Sequence, residues 1–314
     1  MNFLETLRRE PRILFEGGVV ERLRRRPGLK LDPHVGHTAF LFDPAARSVM
    51  ASIYKGYLAV AKRFQLPLAL LAPTWRANGE RLGRAGLPGV EEVSREAVRF
   101  LREIVANSSR QVFIGGLMAC RGDAYKPNEA MRKKAAALFH AQQAGALCRA
   151  GVDFLLASTL PAHSEAAGMA RAMSETGCPY LLSFVVRPDG RLLDGAELPG
   201  VIRAIDLAVS PPPTGYMVNC VHPEILDRAL QALPASSPLP EGRLMGIQAN
   251  ASRLSPEELE GRENLDSEGV ESFARSMGFV AEAYQLKILG GCCGTSEEHI
   301  EAVARWMTER RRDP

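Results

Sequence analysis

The polar and apolar positions of this chain alternate in blocks. Short apolar runs are separated by longer amphipathic stretches. Ile13 to Val19 reads as a first strand ending in Gly17-Gly18, and residues 20–44 as irregular. A helix is predicted from about Ala45 to Phe64. A second apolar run, Pro67 to Thr74, follows, then a polar loop from Arg76 to Glu80 and an amphipathic segment from Val90 to Asn107. Gln111 to Met118 is the third strand, residues 119–127 a loop, and Asn128 to Ala150 a long helix. Val152 to Thr159 and Pro179 to Val186 are strands four and five. Each leads to a helix, near His163 to Thr176 and Gly195 to Val209, the latter after a hairpin-like Arg187-Pro188-Asp189-Gly190. Gly215 to Cys220, Arg243 to Asn250 and Leu286 to Gly291 complete the set. Their helices run from Pro223 to Ala232, Gly269 to Tyr284 and Ser296 to Arg311, and residues 251–268 form a long polar connection.

The strand-like runs are continuous rather than alternating, which indicates burial on both faces, as parallel sheets require. Eight such βα units within 314 residues predict a single (β/α)8 TIM barrel over 1–314. An open doubly wound sheet is the competing architecture. Against it, no Gly-x-Gly-x-x-Gly follows the first strand.

Composition narrows the function. Hydrophobic residues make up 46% of the chain, and the formal net charge is +3, too small to point to nucleic acid or to a membrane surface. The basic clusters Arg24-Arg25-Arg26 and Arg310-Arg311-Arg312 are short and read as solvated charge. No apolar run of about 18 residues exists, and residues 1–12 lack a signal-type apolar core, so a cytoplasmic protein is expected. In that compartment the six cysteines should be free thiols or metal ligands rather than disulfides. Cys120, Cys148 and Cys178 then read as small packed residues.

The other three cysteines carry the chemistry. Gly290-Gly291-Cys292-Cys293-Gly294-Thr295 closes the eighth strand, and Tyr216-Met217-Val218-Asn219-Cys220 the sixth. In a barrel both strand ends open on one face, where active sites sit. Three thiolates with an open fourth position describe a catalytic rather than a closed structural Zn2+ site, the open position being left for a substrate. Vicinal cysteines can also form a strained disulfide, so a thiol-redox protein stays open, as does a zinc-binding barrel without catalysis. His222, two residues from Cys220, replaces none of the three sulfur ligands.

The two cysteine motifs resemble those of the homocysteine S-methyltransferase family, which includes betaine-dependent enzymes and the homocysteine domain of cobalamin-dependent methionine synthase. Glu16-Gly17-Gly18 stands where that family has Asp-Gly-Gly. Thr74-Trp75-Arg76-Ala77-Asn78 is similar to its loop after strand two. Asp153 to Glu165, Asn250 and Ser255-Pro256-Glu257-Glu258 also fit. The resemblance implies a small-molecule thiol acceptor, homocysteine or a relative, activated on zinc held by Cys220, Cys292 and Cys293. The methyl donor would be small and of sulfonium or quaternary ammonium type. It implies substrate-side roles for Glu16, Gly17, Gly18, Thr74, Tyr125, Ser158 and Asn219. Trp75 is a candidate wall for a cationic donor. It leaves open a homo-oligomer. The chain departs from the family at two carboxylates expected to hold the amino-acid part of homocysteine: Glu16 replaces an aspartate, and Ser158, before Thr159, replaces a glutamate.

Overall fold

The computed structural model describes residues 1–255, 258 and 267–310. Eight parallel strands close in sequence order into one barrel: β1 (Ile13–Phe15), β2 (Leu68–Leu71), β3 (Val112–Met118), β4 (Phe154–Leu160), β5 (Tyr180–Phe184), β6 (Gly215–Asn219), β7 (Leu244–Ala249) and β8 (Ile288–Gly291). β1 pairs with both β2 and β8. The predicted architecture and strand order hold. The observed strands are shorter than the apolar runs. Gly17 and Gly18, for example, leave the sheet after β1.

Successive residues of a strand face opposite sides, and the core divides accordingly. Ile13, Phe15, Ala69, Leu71, Phe113, Phe154, Leu156, Leu181, Met217 and Ile288 pack together inside the barrel. Their neighbours, such as Leu14, Leu70, Leu155 and Leu182, pack against the helices. The interior is therefore filled with side chains and is not a pore. Gly115 makes room for this filling, because a Cβ there would lie 2.6 Å from the Phe154 ring.

A helix the sequence pattern does not announce, α1 (Phe3–Arg9), adds to the inner core. Asn2 and Glu5 form a capping box at its start. Its apolar residues Phe3 and Leu7 are one turn apart, and Phe3 stacks on Phe154 at 4.2 Å and meets Phe113 edge-on. Seven residues are too short for a convincing periodic signal.

Around the barrel run α2 (Val20–Arg24), α3 (Pro44–Phe64), α4 (Gly79–Arg84), α5 (Val90–Val105), α6 (Lys133–Arg149), α7 (His163–Ser174), α8 (Leu198–Ala208), α9 (Pro223–Gln231), α10 (Val270–Ala283) and α11 (Glu297–Glu309). Residues 20–44, expected to be irregular, contain α2 and a 3-10 turn, His37–Phe42. The helix predicted from Asn128 begins only at Lys133, because Pro127–Glu129 form a separate 3-10 turn and the Met131 amide is bonded elsewhere. Among the described residues no helix is long and apolar enough to cross a membrane. Pro256 and Glu257 of the family-like stretch, and Arg311 and Arg312 of the basic cluster, lie outside the described residues.

One cysteine expectation is overturned. Cys148 and Cys178 form a disulfide. Cys148 lies in the last turn of α6 and Cys178 just before β5, and packing of these neighbouring units brings their Cα atoms to 6.2 Å, within bridging range. An argument from compartment alone has no access to that proximity.

His37 is buried in its 3-10 turn, and burial pushes its imidazole down to about 4. An unfolded chain takes up this proton near pH 6.5 while the folded chain resists it. The stability associated with neutral His37 is thus complete above about pH 6.5 and is lost as pH falls toward 4, by roughly 2–3 kcal/mol. Denaturant unfolding at pH 7.5 and 4.5 should show wild type losing more stability than His37→Gln by about that amount. Equal losses would exclude His37 as the responsible group.

Candidate metal centre

The C-terminal ends of β6, β7 and β8 build the site. β7 lies between the two cysteine-bearing strands and serves both as a rail. The Cys220 amide donates to Gln248 O at 3.1 Å, and the Cys292 amide to Ala249 O at 2.7 Å. Asn250 then ties the two turns together. Its Nδ2 donates to Cys220 O at 2.9 Å, and its Oδ1 accepts from the Cys293 amide at 3.1 Å. The Ala251 amide closes the arrangement on Cys293 O.

The Cys292–Thr295 turn is clasped from the opposite end of the chain. Thr295 Oγ1 donates to Cys292 O and accepts from the Gly18 amide at 2.8 Å. A Cβ on Gly18 would stand 2.5 Å from Cys292 O, and one on Gly17 would stand 2.8 Å from the Tyr57 hydroxyl. Both glycines are therefore required for close approach. What approaches Gly18 is the cysteine turn itself.

Cys220, Cys292 and Cys293 present sulfurs that all lie within 4.8 Å of one another, with Cys220 and Cys292 at 2.8 Å. Residues separated by 72 positions thus share one mouth of the barrel. Cys220 is buried and the vicinal pair half-buried. The thiols share protons unequally. Hydrogen bonds from Cys292, Cys293, Tyr125 and Thr159 outweigh burial and hold Cys220 well below the usual thiol range. Cys292 and Cys293 are pushed up in turn.

Asn219 orients that sulfur. Its Nδ2 donates to Cys220 Sγ at 3.2 Å and to Thr159 Oγ1 at 2.8 Å, while its Oδ1 accepts from the Thr159 amide and the Ser183 hydroxyl. Cys220 and Thr159 both adopt left-handed backbone conformations, with φ 58° and 60°. A non-glycine residue held there costs about 1–3 kcal/mol, and such strain gathers at functional sites. Thr159, Ser183 and Thr295 complete the surroundings without a composition signal of their own. The site threonine in the cysteine motif and the polar end of β4 are what point to them.

The remaining candidates take varied positions. Ser158 is buried with its hydroxyl 3.2 Å from Thr159 Oγ1, beside the trio. Tyr125 is half-buried against the core that includes Cys220, and desolvation followed by the neighbouring thiols pushes its phenol well up. The Glu16 carboxylate accepts from the Leu71 amide at 2.8 Å. Burial drives it well above the usual range, and the hydroxyls of Tyr54 and Tyr57 are nearby. Thr74 spends its hydroxyl on Leu117 O. Trp75 has the Arg76 guanidinium over its ring at 4.9 Å. His222 is committed on both nitrogens, Nε2 to Glu268 and Nδ1 to the Glu224 amide, and stands outside the sulfur trio.

Three soft sulfur donors in convergence suit a thiophilic cation such as zinc. The family model described as homocysteine S-methyltransferase matches residues 13–307. Mouse betaine–homocysteine S-methyltransferase 1 is 24% identical over 327 aligned residues, spanning 98% of this chain and 75% of that protein. Homocysteine S-methyltransferase YbgG of Bacillus subtilis is 24% identical over 195, spanning 61% and 58%. The metallated form of the homocysteine methyltransferase MmuM from Escherichia coli superposes with a TM-score of 0.71 at 20% identity, covering 96% of this chain and 98% of that one.

Proposed function

The chain belongs to the homocysteine S-methyltransferase family and is a methyltransferase, and from that premise we propose zinc-dependent methyl transfer from a small sulfonium or quaternary ammonium donor to homocysteine or a related thiol. The convergence of Cys220, Cys292 and Cys293 at the barrel mouth carries this reading. These three side chains would hold the ion and leave one position for the acceptor. Zinc bound there would supply Lewis acidity that keeps an acceptor thiol, ordinarily near pKa ~8.5, in its nucleophilic deprotonated form.

The chain's own groups set the geometry. Asn219 fixes the rotamer of Cys220, and Asn250 fixes the spacing of the two cysteine turns. Tyr125 packs beside the core that includes Cys220 and would border the acceptor position. Gly17 and Gly18 keep the wall beside Cys292 flat, Thr74 braces the ends of β2 and β3, and Ser158 and Glu16 border the acceptor side. In the reaction the acceptor's sulfur gives up its proton to solvent and forms a bond to the methyl carbon. The donor's C–S or C–N bond breaks, and the donor departs as a neutral thioether or amine. The methylated product carries no sulfur anion and is a weaker ligand, so it can leave. We place this chemistry in one barrel domain spanning 1–314, in the cytoplasm.

Metal analysis of the purified, reduced protein should give about one zinc per chain. Methyl transfer should then appear in a panel crossing S-methylmethionine and betaine with homocysteine and simpler thiols. One zinc without transfer to any thiol would favour a binding role. Absence of zinc from the reduced protein, together with a Cys220–Cys292 disulfide that forms on reoxidation, would favour a redox role.

A further inference from the structure

Glu165 begins the first turn of α7 and is completely buried. Its carboxylate accepts three hydrogen bonds: from the Arg121 amide at 2.7 Å, the Met131 amide at 3.0 Å and His140 Nε2 at 2.9 Å. Burial alone would push this carboxyl up. The imidazole and the two amides reverse that and hold it below the usual range, so the group is charged. A buried charge needs such donors, and losing them leaves it uncompensated.

The two amides belong to opposite ends of the connection between β3 and α6. One side chain therefore cinches residues 121–131 into a closed loop. His140 is equally committed. With Nε2 donating to Glu165, its Nδ1 is left as a bare acceptor, and that atom is buried with no hydrogen-bond partner among the described residues. Further ties on this loop, Arg81 to the Arg121 and Gly122 carbonyls, Arg121 to Glu80 and the Asp123 amide to Glu129 Oε2, are more exposed than the Glu165 set, and exposed ion pairs contribute little. Tyr125 lies mid-loop, its amide held by Asp123 Oδ1 and its side chain half-buried against the core cluster that includes Cys220.

We propose that Glu165 is a positioning residue, a buried latch that holds the 121–131 loop in place and thereby keeps the Tyr125 side chain packed beside Cys220. No contact between Glu165 and the cysteines is required, since the influence travels through the loop backbone.

The test needs neither substrate nor bound metal and so stands apart from the methyl-transfer reading. In the full chain, reduced and treated with chelator, iodoacetamide alkylation of Cys220 is followed by peptide mass spectrometry. Hydrogen exchange is followed in parallel. Glu165→Gln should raise Cys220 alkylation about 10-fold, the scale set by weakening charge-assisted hydrogen bonds that hold the loop. Exchange should rise in peptides covering 121–131 and not in β4 or α7. In a Tyr125→Phe background the same change should add less than about 2-fold, because coupled residues are not additive. Unchanged alkylation, equal factors in both backgrounds, or exchange rising equally in β4 and α7 would each overturn the proposal. If Glu165→Gln does not fold, the cycle is run with His140→Phe, which removes one donor and keeps both amides. A smaller alkylation gain that vanishes with Tyr125→Phe is expected there, and additive gains overturn the proposal equally.

Discussion

Cys292→Ala is expected to abolish methyl transfer and to strip zinc in the same step. The substitution takes one of three sulfurs from a centre that groups no further Cys, His, Asp or Glu ligand among the described residues, His222 being held by Glu268 and the Glu224 amide. Loss of an outer support costs such sites roughly 10- to 100-fold in affinity, and loss of a ligand costs more. The fold should survive. Cys292 is half-buried at the barrel mouth, its amide bond to Ala249 O does not depend on its side chain, and the inner core lies below it. Melting of the metal-free variant should therefore match metal-free wild type, with zinc content and turnover falling together. Full turnover in a zinc-free Cys292→Ala protein would sink the proposed mechanism.

The second large effect concerns the acceptor. Ser158 stands beside Thr159 and the trio, where the family resemblance places a glutamate, and its hydroxyl offers no charge. Glu16 is a poor substitute, because its carboxylate is engaged with the Leu71 amide and burial favours its neutral form. An acceptor ammonium facing this wall lacks a charge-assisted partner, worth about 1.5–3 kcal/mol, or roughly 10- to 150-fold in affinity. Wild type is accordingly expected to discriminate little between homocysteine and thiols without its ammonium group. Ser158→Glu should improve homocysteine by that factor and leave the simpler thiols behind. KM values for both acceptors in both proteins decide the matter. A strong wild-type preference for homocysteine that Ser158→Glu does not increase would return recognition to Glu16 or another group.

The barrel was legible because eight parallel strands must be apolar on both faces, and helices between them must be amphipathic. Both demands leave marks on sequence. The convergence of Cys220 with Cys292 and Cys293 followed from topology alone, since strand ends of a closed barrel share a face. What stayed hidden depended on partners distant in sequence. The plug helix α1 earns its place only through Phe154 and Phe113. The Cys148–Cys178 bridge depends on how α6 meets β5. The delayed start of α6 reflects a carboxylate 34 residues downstream of the Met131 amide it binds. Glycines 17 and 18 were legible as close-approach points, but the partner of Gly18 is the cysteine turn, which no local pattern reveals.

The clasp between Gly18 and Thr295 also bears on biosynthesis. β1 meets β8, the Gly291 amide bonds Glu16 O, and the Gly18 amide bonds Thr295. Until residues beyond 287 emerge from a ribosome, the nascent chain has an open sheet and one of its three sulfurs. Two sulfurs arrive with the last strand, in the same event that seals the seam. Contacts of such long sequence separation form late, so metal capture is expected to follow barrel closure rather than guide it, and an incomplete chain cannot trap the ion in a half-built centre.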